Sequence, residues 1–225
     1  MASDRELLVR VLTRWFAGVL TIAAMLLLPA GTWAYWPAWL YMGVTFLPML
    51  GVVVYLRARD PGLLERRMQW HEGQARQRAL VGSGGLIYIA GFLIPGFDHR
   101  YGWSSVPTFV IVASALIVLA GYALFVVVLR ANSYAARTVR VEQDQPLIRT
   151  GPYAWVRHPM YSAVSLMTLF TPTTLGSYWA LLAFGWMLPL LVVRIRGEEA
   201  VLRRELAGYP EYCEQVRYRL VPGIW

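Results

Sequence analysis

Residues 107–129 read PTFVIVASALIVLAGYALFVVVL, a run of 23 residues without a charged side chain. A helix of that length rises about 34 Å, enough to cross a bilayer hydrocarbon core of about 30 Å. Pro107 suits a helix start, because the N–H group that proline lacks would have no partner there. The run therefore predicts a transmembrane helix.

The composition of the whole chain agrees, since 57% of its 225 residues are hydrophobic and only 15% are charged. Because bulky Trp33 and Tyr35 follow the first apolar run, we interpret it as a retained helix rather than a cleaved signal peptide. The predicted fold class is all-α, a polytopic transmembrane helical bundle of about six spans. The other five apolar runs are 11–30, 39–56, 80–97, 159–172 and 178–193.

The last two runs are separated only by residues 173–177, and the first of them is short for a full span. We therefore expect them to form a tight C-terminal helical hairpin. On this basis residues 1–129 hold four N-terminal spans. Residues 130–225 hold the hairpin, the long polar segment before it and a polar tail, and they form the predicted functional core.

The distribution of arginine predicts the orientation in the membrane. All 21 basic residues are arginine, and an even number of spans puts both termini on one side. With both termini in the cytoplasm, only Arg100 lies outside, as the positive-inside rule requires. We expect a multi-pass protein of a bacterial inner membrane. The net charge of +8 does not indicate nucleic-acid binding, because the arginines lie in short loops between apolar runs.

Metal and disulfide chemistry are not expected. Cys213 is the single cysteine, and His71, His99 and His158 are far apart with no ligand spacing.

Residues 146–161, PLIRTGPYAWVRHPMY, differ from an ordinary solvated loop. Gly151 and the proline after it predict a turn, and Pro159 predicts that a helix begins after His158. Such a helix start attracts anions, and Arg157 could grip a carboxylate with two hydrogen bonds. The alternative is that Arg157 pairs with lipid phosphates while Tyr153, Trp155 and Tyr161 only anchor the helix.

Residues 192–199, VVRIRGEE, place two adjacent carboxylates where the last span leaves the membrane. Arg194 and Glu198 are four residues apart and share a face if the helix continues. An ordinary interfacial salt bridge to Arg194, Arg203 or Arg204 is the simpler interpretation. The hairpin, however, should bring Glu198 and Glu199 opposite the 157–161 segment. An anion-binding helix start facing two carboxylates suits a zwitterionic ligand such as an amino acid, with aromatic rings nearby for adenine or a sulfonium.

The ordered combination of Gly151-Pro152-Tyr153, Arg157-His158-Pro159-Met160-Tyr161 and Glu198-Glu199 resembles the isoprenylcysteine carboxyl methyltransferase family and its phospholipid methyltransferase relatives. The resemblance implies S-adenosylmethionine as methyl donor, bound on the cytoplasmic side. It implies that Arg194 and Arg157 orient a substrate carboxylate, and that Glu199 holds the cofactor or braces an arginine. The implied cofactor-binding residues are Leu147, Ile148, Gly151, Tyr153, His158, Pro159, Tyr161 and Glu198.

The expected activity is methylation of a lipidic acceptor, preferably a carboxylate such as that of isoprenylcysteine or a related hydrophobic acid. An alternative is a phospholipid amine, for which Glu198 or Glu199 would act as base. A sterol-reductase-like enzyme using NADPH ranks lower, because such enzymes have more spans. A transporter is disfavoured because the second to fourth spans contain almost no polar residues.

Overall fold

The computed structural model describes residues 4–68, 75–132, 134 and 146–225. These residues form helices joined by short turns, and no strand occurs among them. The elements are α1 (Asp4–Ala30), α2 (Trp36–Arg59), α3 (Pro61–Met68), α4 (Ala75–Tyr101), α5 (Thr108–Ala131), a 3-10 helix (Gly151–Ala154), α6 (Pro159–Thr174), α7 (Ala180–Gly185), α8 (Met187–Glu205) and α9 (Tyr209–Gln215).

The prediction of an all-α fold is confirmed for the described part of the chain. Among those residues, α1, α2, α5 and the consecutive α7–α8 segment are long and apolar enough to cross a membrane. The predicted third span lies within α4, a helix of 27 residues. The predicted fifth span is α6, whose 16 residues rise only about 24 Å. Four candidate spans are therefore supported, and the six-span bundle with its hairpin stays a prediction.

The last predicted apolar run differs from the observed helices in two ways. It is interrupted at Trp186, where α7 ends after Gly185 and α8 begins. Helix α8 then continues to Glu205, so residues 194–205, interpreted from the sequence as the start of a polar tail, are helical. The physical reason is that this segment is rich in arginine and glutamate, which favour helices irrespective of their polarity.

Close helix packing depends on glycines. A Cβ atom at Gly121 of α5 would lie 2.8 Å from the Met167 side chain and 3.1 Å from the Ala163 carbonyl oxygen of α6. At Gly96 of α4, a Cβ atom would lie only 2.5 Å from the Leu26 carbonyl oxygen of α1. Small residues permit such approach in membrane helices, where packing rather than hydrophobic exclusion drives association. Contacts of this kind hold α6 against α5, and α4 against α1.

Buried polar groups connect the turns that lie near the C-terminal end of α6. Asp98 is only 1% exposed, and its carboxylate accepts hydrogen bonds from the Ser104 N–H and hydroxyl at 2.6 and 2.7 Å. The Ser177 hydroxyl donates to the same carboxylate. The Tyr35 hydroxyl donates to the Leu175 carbonyl oxygen beside it. This cluster lies a helix length, about 24 Å, from the other end of α6, where the predicted functional residues lie.

Candidate active site

The Gly-Pro-Tyr turn is held between α5 and α9. Gly151 has a φ of 60°, a backbone conformation that glycine adopts without steric cost. The Asn132 side-chain amide, at the C-terminal end of α5, donates to the Tyr153 hydroxyl at 2.9 Å. The Tyr212 hydroxyl of α9 donates to the Tyr153 carbonyl oxygen at 2.7 Å. The turn therefore has a defined position relative to both helices.

The start of α6 pairs with the C-terminal tail. His158 is the N-cap residue, and no side chain caps the first turn of the helix. The Arg157 and His158 N–H groups donate to the carbonyl oxygens of Tyr218 and Arg219, both at 2.9 Å. This pairing sets the backbone from which the Arg157 and His158 side chains project.

The guanidinium of Arg157 is buried, with 6% of the residue exposed. Its Nε donates to the Glu199 Oε1 at 2.8 Å. Its Nη1 donates to main-chain carbonyl oxygens at and beyond the end of α9, where a cation is favoured by the helix dipole. These acceptors belong to Cys213, Val216 and Arg217. Arg157 thus connects α8 to the tail.

The Glu199 carboxylate contacts three basic side chains, those of Arg157, His158 and Arg219. Only 4% of the residue is exposed, and its Oε1 lies 3.3 Å from the His158 Nε2 as well as 2.8 Å from Arg157. Its Oε2 accepts from the Arg219 Nε at 3.0 Å, and the Arg219 Nη2 lies 3.0 Å from the same oxygen as an ion-pair partner. A buried carboxylate is tolerated when it is paired and hydrogen-bonded in this way.

Glu198 has a more open environment. Its side chain is 23% exposed, compared with 5% for Glu199. The Tyr161 hydroxyl donates to the Glu198 Oε2 at 2.7 Å and accepts from the Arg194 Nε at 2.9 Å. The His158 Nδ1 lies 4.0 Å from the Glu198 Oε1. Glu198 therefore presents a partly accessible carboxylate between an imidazole and a phenol ring.

The tyrosines near the tail stay protonated. Burial raises the pKa of Tyr153 to about 12, although the hydrogen bond from Asn132 opposes the shift. Burial also raises the pKa of Tyr209 and of Tyr212 above the usual value for a phenol. These hydroxyls therefore remain protonated at neutral pH, which keeps the Tyr212 hydroxyl the donor to the Tyr153 carbonyl oxygen.

The predicted site residues divide into two groups. The structure joins six of them in one side-chain network: Arg157, His158, Tyr161, Arg194, Glu198 and Glu199. The other five predicted residues lie in adjoining segments of the chain. Pro159 is buried in the first turn of α6, Leu147 packs against a buried cluster formed by Leu206, Tyr209 and Tyr212, and Ile148 is half-buried. Gly151 and Tyr153 form the turn described above.

Sequence reasoning missed Arg219, Asn132, Tyr212 and Ser162. The Ser162 hydroxyl donates to the Leu220 carbonyl oxygen at 2.6 Å, which further fastens the tail to α6. Arg219 comes two residues before Val221-Pro222-Gly223, and nothing in its spacing relates it to Glu199, which is 20 residues away. Within the residues that the structure describes, no cluster of three histidine, cysteine or acidic side chains is arranged to hold a metal ion.

Comparison with known proteins gives a family match and a relative. Residues 112–204 match the model of the isoprenylcysteine carboxyl methyltransferase (ICMT) family. That range contains the Gly-Pro-Tyr turn, the start of α6 and both glutamates, and it excludes α9 and the tail. The chain is also 33% identical over 73 residues to the uncharacterized protein YpbQ of Bacillus subtilis (strain 168). The aligned part covers 32% of this chain and 44%, less than half, of that relative.

Proposed function

Given that the chain carries an ICMT-family segment at residues 112–204, we propose that it uses S-adenosylmethionine to methylate the carboxylate of a lipidic acceptor. The family and the four apolar helices support the general class, an integral membrane methyltransferase. The donor, the acceptor, the orientation in the membrane and the residue roles constitute the proposal.

The residues around Glu198 fit a zwitterionic cofactor. The exposed fraction of this carboxylate can receive an ammonium group, and the rings of His158 and Tyr161, 5.8 Å apart, offer faces to a cation. The uncapped first turn of α6 suits the cofactor carboxylate. The proposed cofactor-binding residues are those expected from the resemblance: Leu147, Ile148, Gly151, Tyr153, His158, Pro159, Tyr161 and Glu198.

When bound, S-adenosylmethionine would supply an electrophilic methyl group. A carboxylate acceptor is already a nucleophile, so the protein need only align the two reactants and exclude water. Arg194, which donates to Tyr161 beside Glu198, is the residue we assign to orient the acceptor carboxylate. No base is required for this acceptor.

The ion pairs favour supporting roles for the other two residues expected to be catalytic. Arg157 is buried and donates to Glu199 and to three carbonyl oxygens, so in this proposal it positions the site. Glu199 pairs with Arg157 and Arg219, which favours bracing of arginines over direct contact with the cofactor. We further propose that both termini lie in the cytoplasm, so that the cofactor arrives from water while the acceptor's apolar chain stays among the helices.

The observation that carries the proposal is the accessible Glu198 carboxylate, held by the Tyr161 hydroxyl that also contacts Arg194. The first test is calorimetric binding of S-adenosylhomocysteine, the demethylated cofactor, to protein purified in detergent. Glu198→Gln should abolish or strongly weaken binding. Glu205→Gln, an exposed carboxylate at the end of the same helix, is the matched control and should leave it unchanged.

The second test identifies the acceptor with a panel of membrane-soluble substrates: a prenylated cysteine, a long-chain fatty acid and phosphatidylethanolamine. Labelled methyl transfer to an acid, lost in Arg194→Ala, is the expected result. Transfer to the amine alone would replace the carboxylate assignment. Well-folded protein that binds NADPH and not S-adenosylhomocysteine would overturn the methyltransferase proposal altogether.

A further inference from the structure

Arg219 reaches the candidate site from outside the segment that matches the family. It belongs to the tail beyond α9; its Nε donates to the Glu199 Oε2 at 3.0 Å, and its Nη2 forms an ion pair with the same oxygen, also at 3.0 Å. The Oε1 of the same carboxylate faces Arg157 and the His158 Nε2. The two oxygens of Glu199 are thus divided between the tail on one side and the start of α6 on the other.

Backbone hydrogen bonds fix the register of the tail relative to the start of α6. The His158 N–H donates to the carbonyl oxygen of Arg219 itself, at 2.9 Å. The preceding pair, from the Arg157 N–H to the Tyr218 carbonyl oxygen, has the same length. The Ser162 hydroxyl continues the attachment at Leu220. A shift of the tail by one residue would break all of these bonds and withdraw the guanidinium from Glu199.

Trp225 also contacts the Arg219 side chain. The Trp225 carbonyl oxygen accepts from the N–H groups of Arg219, Leu220 and Val221 at 2.9, 2.8 and 3.2 Å. This closes residues 219–225 into a loop and places the Trp225 ring 5.1 Å from the guanidinium carbon of Arg219, a cation–π distance. The guanidinium therefore contacts both an aromatic ring and a carboxylate.

From these contacts we propose that Arg219 is a positioning residue of the candidate site. It fixes the Glu199 carboxylate, and that carboxylate in turn fixes the His158 ring beside Glu198. The planar guanidinium contacts the carboxylate oxygen through two nitrogens, Nε as hydrogen-bond donor and Nη2 as ion-pair partner, which sets an orientation that a single point charge does not set. Without Arg219, the Glu199 carboxylate can rotate toward Arg157 and release the His158 Nε2. The effect on cofactor affinity rests on the proposed function, whereas the effect on the imidazole does not.

The experiment compares Arg219→Met with Arg219→Lys, and it uses Arg203→Met as the control. Arg203 is an exposed cation on α8, four residues after Glu199. Nitrogen NMR of isotope-labelled histidine reports the protonation and hydrogen bonding of the His158 imidazole, with the signal assigned by its loss in His158→Gln. Calorimetry with S-adenosylhomocysteine reports affinity. Thermal unfolding establishes that each variant is folded.

Arg219→Met should change the His158 signals and weaken binding about tenfold or more, since a charge-assisted hydrogen bond is lost. Arg219→Lys should fall between this variant and the wild type, and Arg203→Met should match the wild type. Unchanged His158 signals in folded Arg219→Met would overturn the proposal. If that variant does not fold, Arg219→Lys decides by the same criterion. Wild-type protein that binds no S-adenosylhomocysteine would count against the proposed function, while the imidazole signals would still decide the role of Arg219.

Discussion

The Nε of Arg157 lies 2.8 Å from the Oε1 of Glu199, although the two residues are 42 positions apart in the chain. Both side chains are about 5% exposed or less. The pair joins the residues just before α6 to the second half of α8. The Arg157 guanidinium also donates to carbonyl oxygens at the end of α9 and in the tail. Glu198, the preceding residue, is less buried and contacts Tyr161. Two adjacent glutamates therefore have different environments, which leads to different expected effects of substitution.

Glu199→Gln should destabilise the protein strongly, because it leaves the buried Arg157 guanidinium without its anionic partner. Breaking a buried pair on one side typically costs about 3–5 kcal/mol. Glu198→Gln removes a partly exposed carboxylate and should cost about 1 kcal/mol or less, while impairing ligand binding. Thermal or denaturant unfolding in detergent measures the difference. Equal losses of stability in the two variants would contradict the assignment of Glu199 as the structural carboxylate.

Tyr161→Phe should weaken binding of S-adenosylhomocysteine while leaving the ring in place, because it removes the hydroxyl that contacts both Glu198 and Arg194. In a double-mutant cycle with Glu198→Gln, we expect a coupling energy within the range of about 0.5–3 kcal/mol seen for contacting groups. Calorimetry on the four proteins supplies the cycle. Tyr101→Phe, an exposed ring at the end of α4, is the control for loss of a phenol. Strictly additive effects would show that the Tyr161 hydroxyl does not act on binding through Glu198.

Gly96→Ala should destabilise the contact between α1 and α4, because the new methyl group would lie 2.5 Å from the Leu26 carbonyl oxygen and 2.9 Å from the Pro29 Cβ. Overpacking of this kind costs about 1–3 kcal/mol. Gly51→Ala in α2 is the matched control, since no atom lies within 4 Å of its added Cβ, and alanine should there be neutral or stabilising. Thermal unfolding of both variants in the same detergent is the measurement. A Gly96→Ala protein as stable as the Gly51→Ala protein would refute this packing.

Cys213 should react slowly with iodoacetamide at neutral pH. Burial raises the pKa of its thiol above the ordinary value, and only the thiolate is nucleophilic. Labelling should accelerate as the pH rises, and it should be faster in denaturant at any given pH. Because the folded pKa is raised, the folded state favours the neutral thiol. The corresponding stability is therefore complete below the unfolded pKa of about 8.5 and is lost as the pH rises through the folded pKa.

Mass spectrometry of the labelled protein follows this reaction, and Cys213→Ala supplies the background. Labelling in the folded protein as fast as in denaturant at neutral pH would contradict the raised pKa. The result is independent of the cofactor, since it depends only on the packing of α9 against the rest of the site.

The fold class could be predicted from the sequence because transfer into lipid depends on consecutive residues. The run at 107–129 is apolar over its whole length, and its helix, Thr108–Ala131, coincides with it to within two residues. The end of α8 was harder to predict. Polarity marked a boundary after Val193, but helix propensity does not change there, so the helix continues to Glu205.

The family resemblance was also readable from the sequence, because its signal is an ordered set of local motifs, and the match of residues 112–204 to the ICMT family agrees. The pairing partners of Glu198 and Glu199 could not be read from the sequence. By spacing along one helix, the glutamates could have paired with Arg194, Arg203 or Arg204. In the structure Glu199 instead pairs with Arg157 and Arg219, and Glu198 bonds Tyr161.

The local sequence by itself thus determined which segments are apolar and long enough to span and which motifs resemble the ICMT family, since both depend on near neighbours in the chain. Only the tertiary structure decided which arginine meets which carboxylate. Arginines are numerous here and chemically equivalent, so the pairing is set by the docking of α6, α8 and the tail. Arg219 is the clearest case: its backbone pairing with His158 brings it to Glu199, and no local pattern in the sequence encodes that contact.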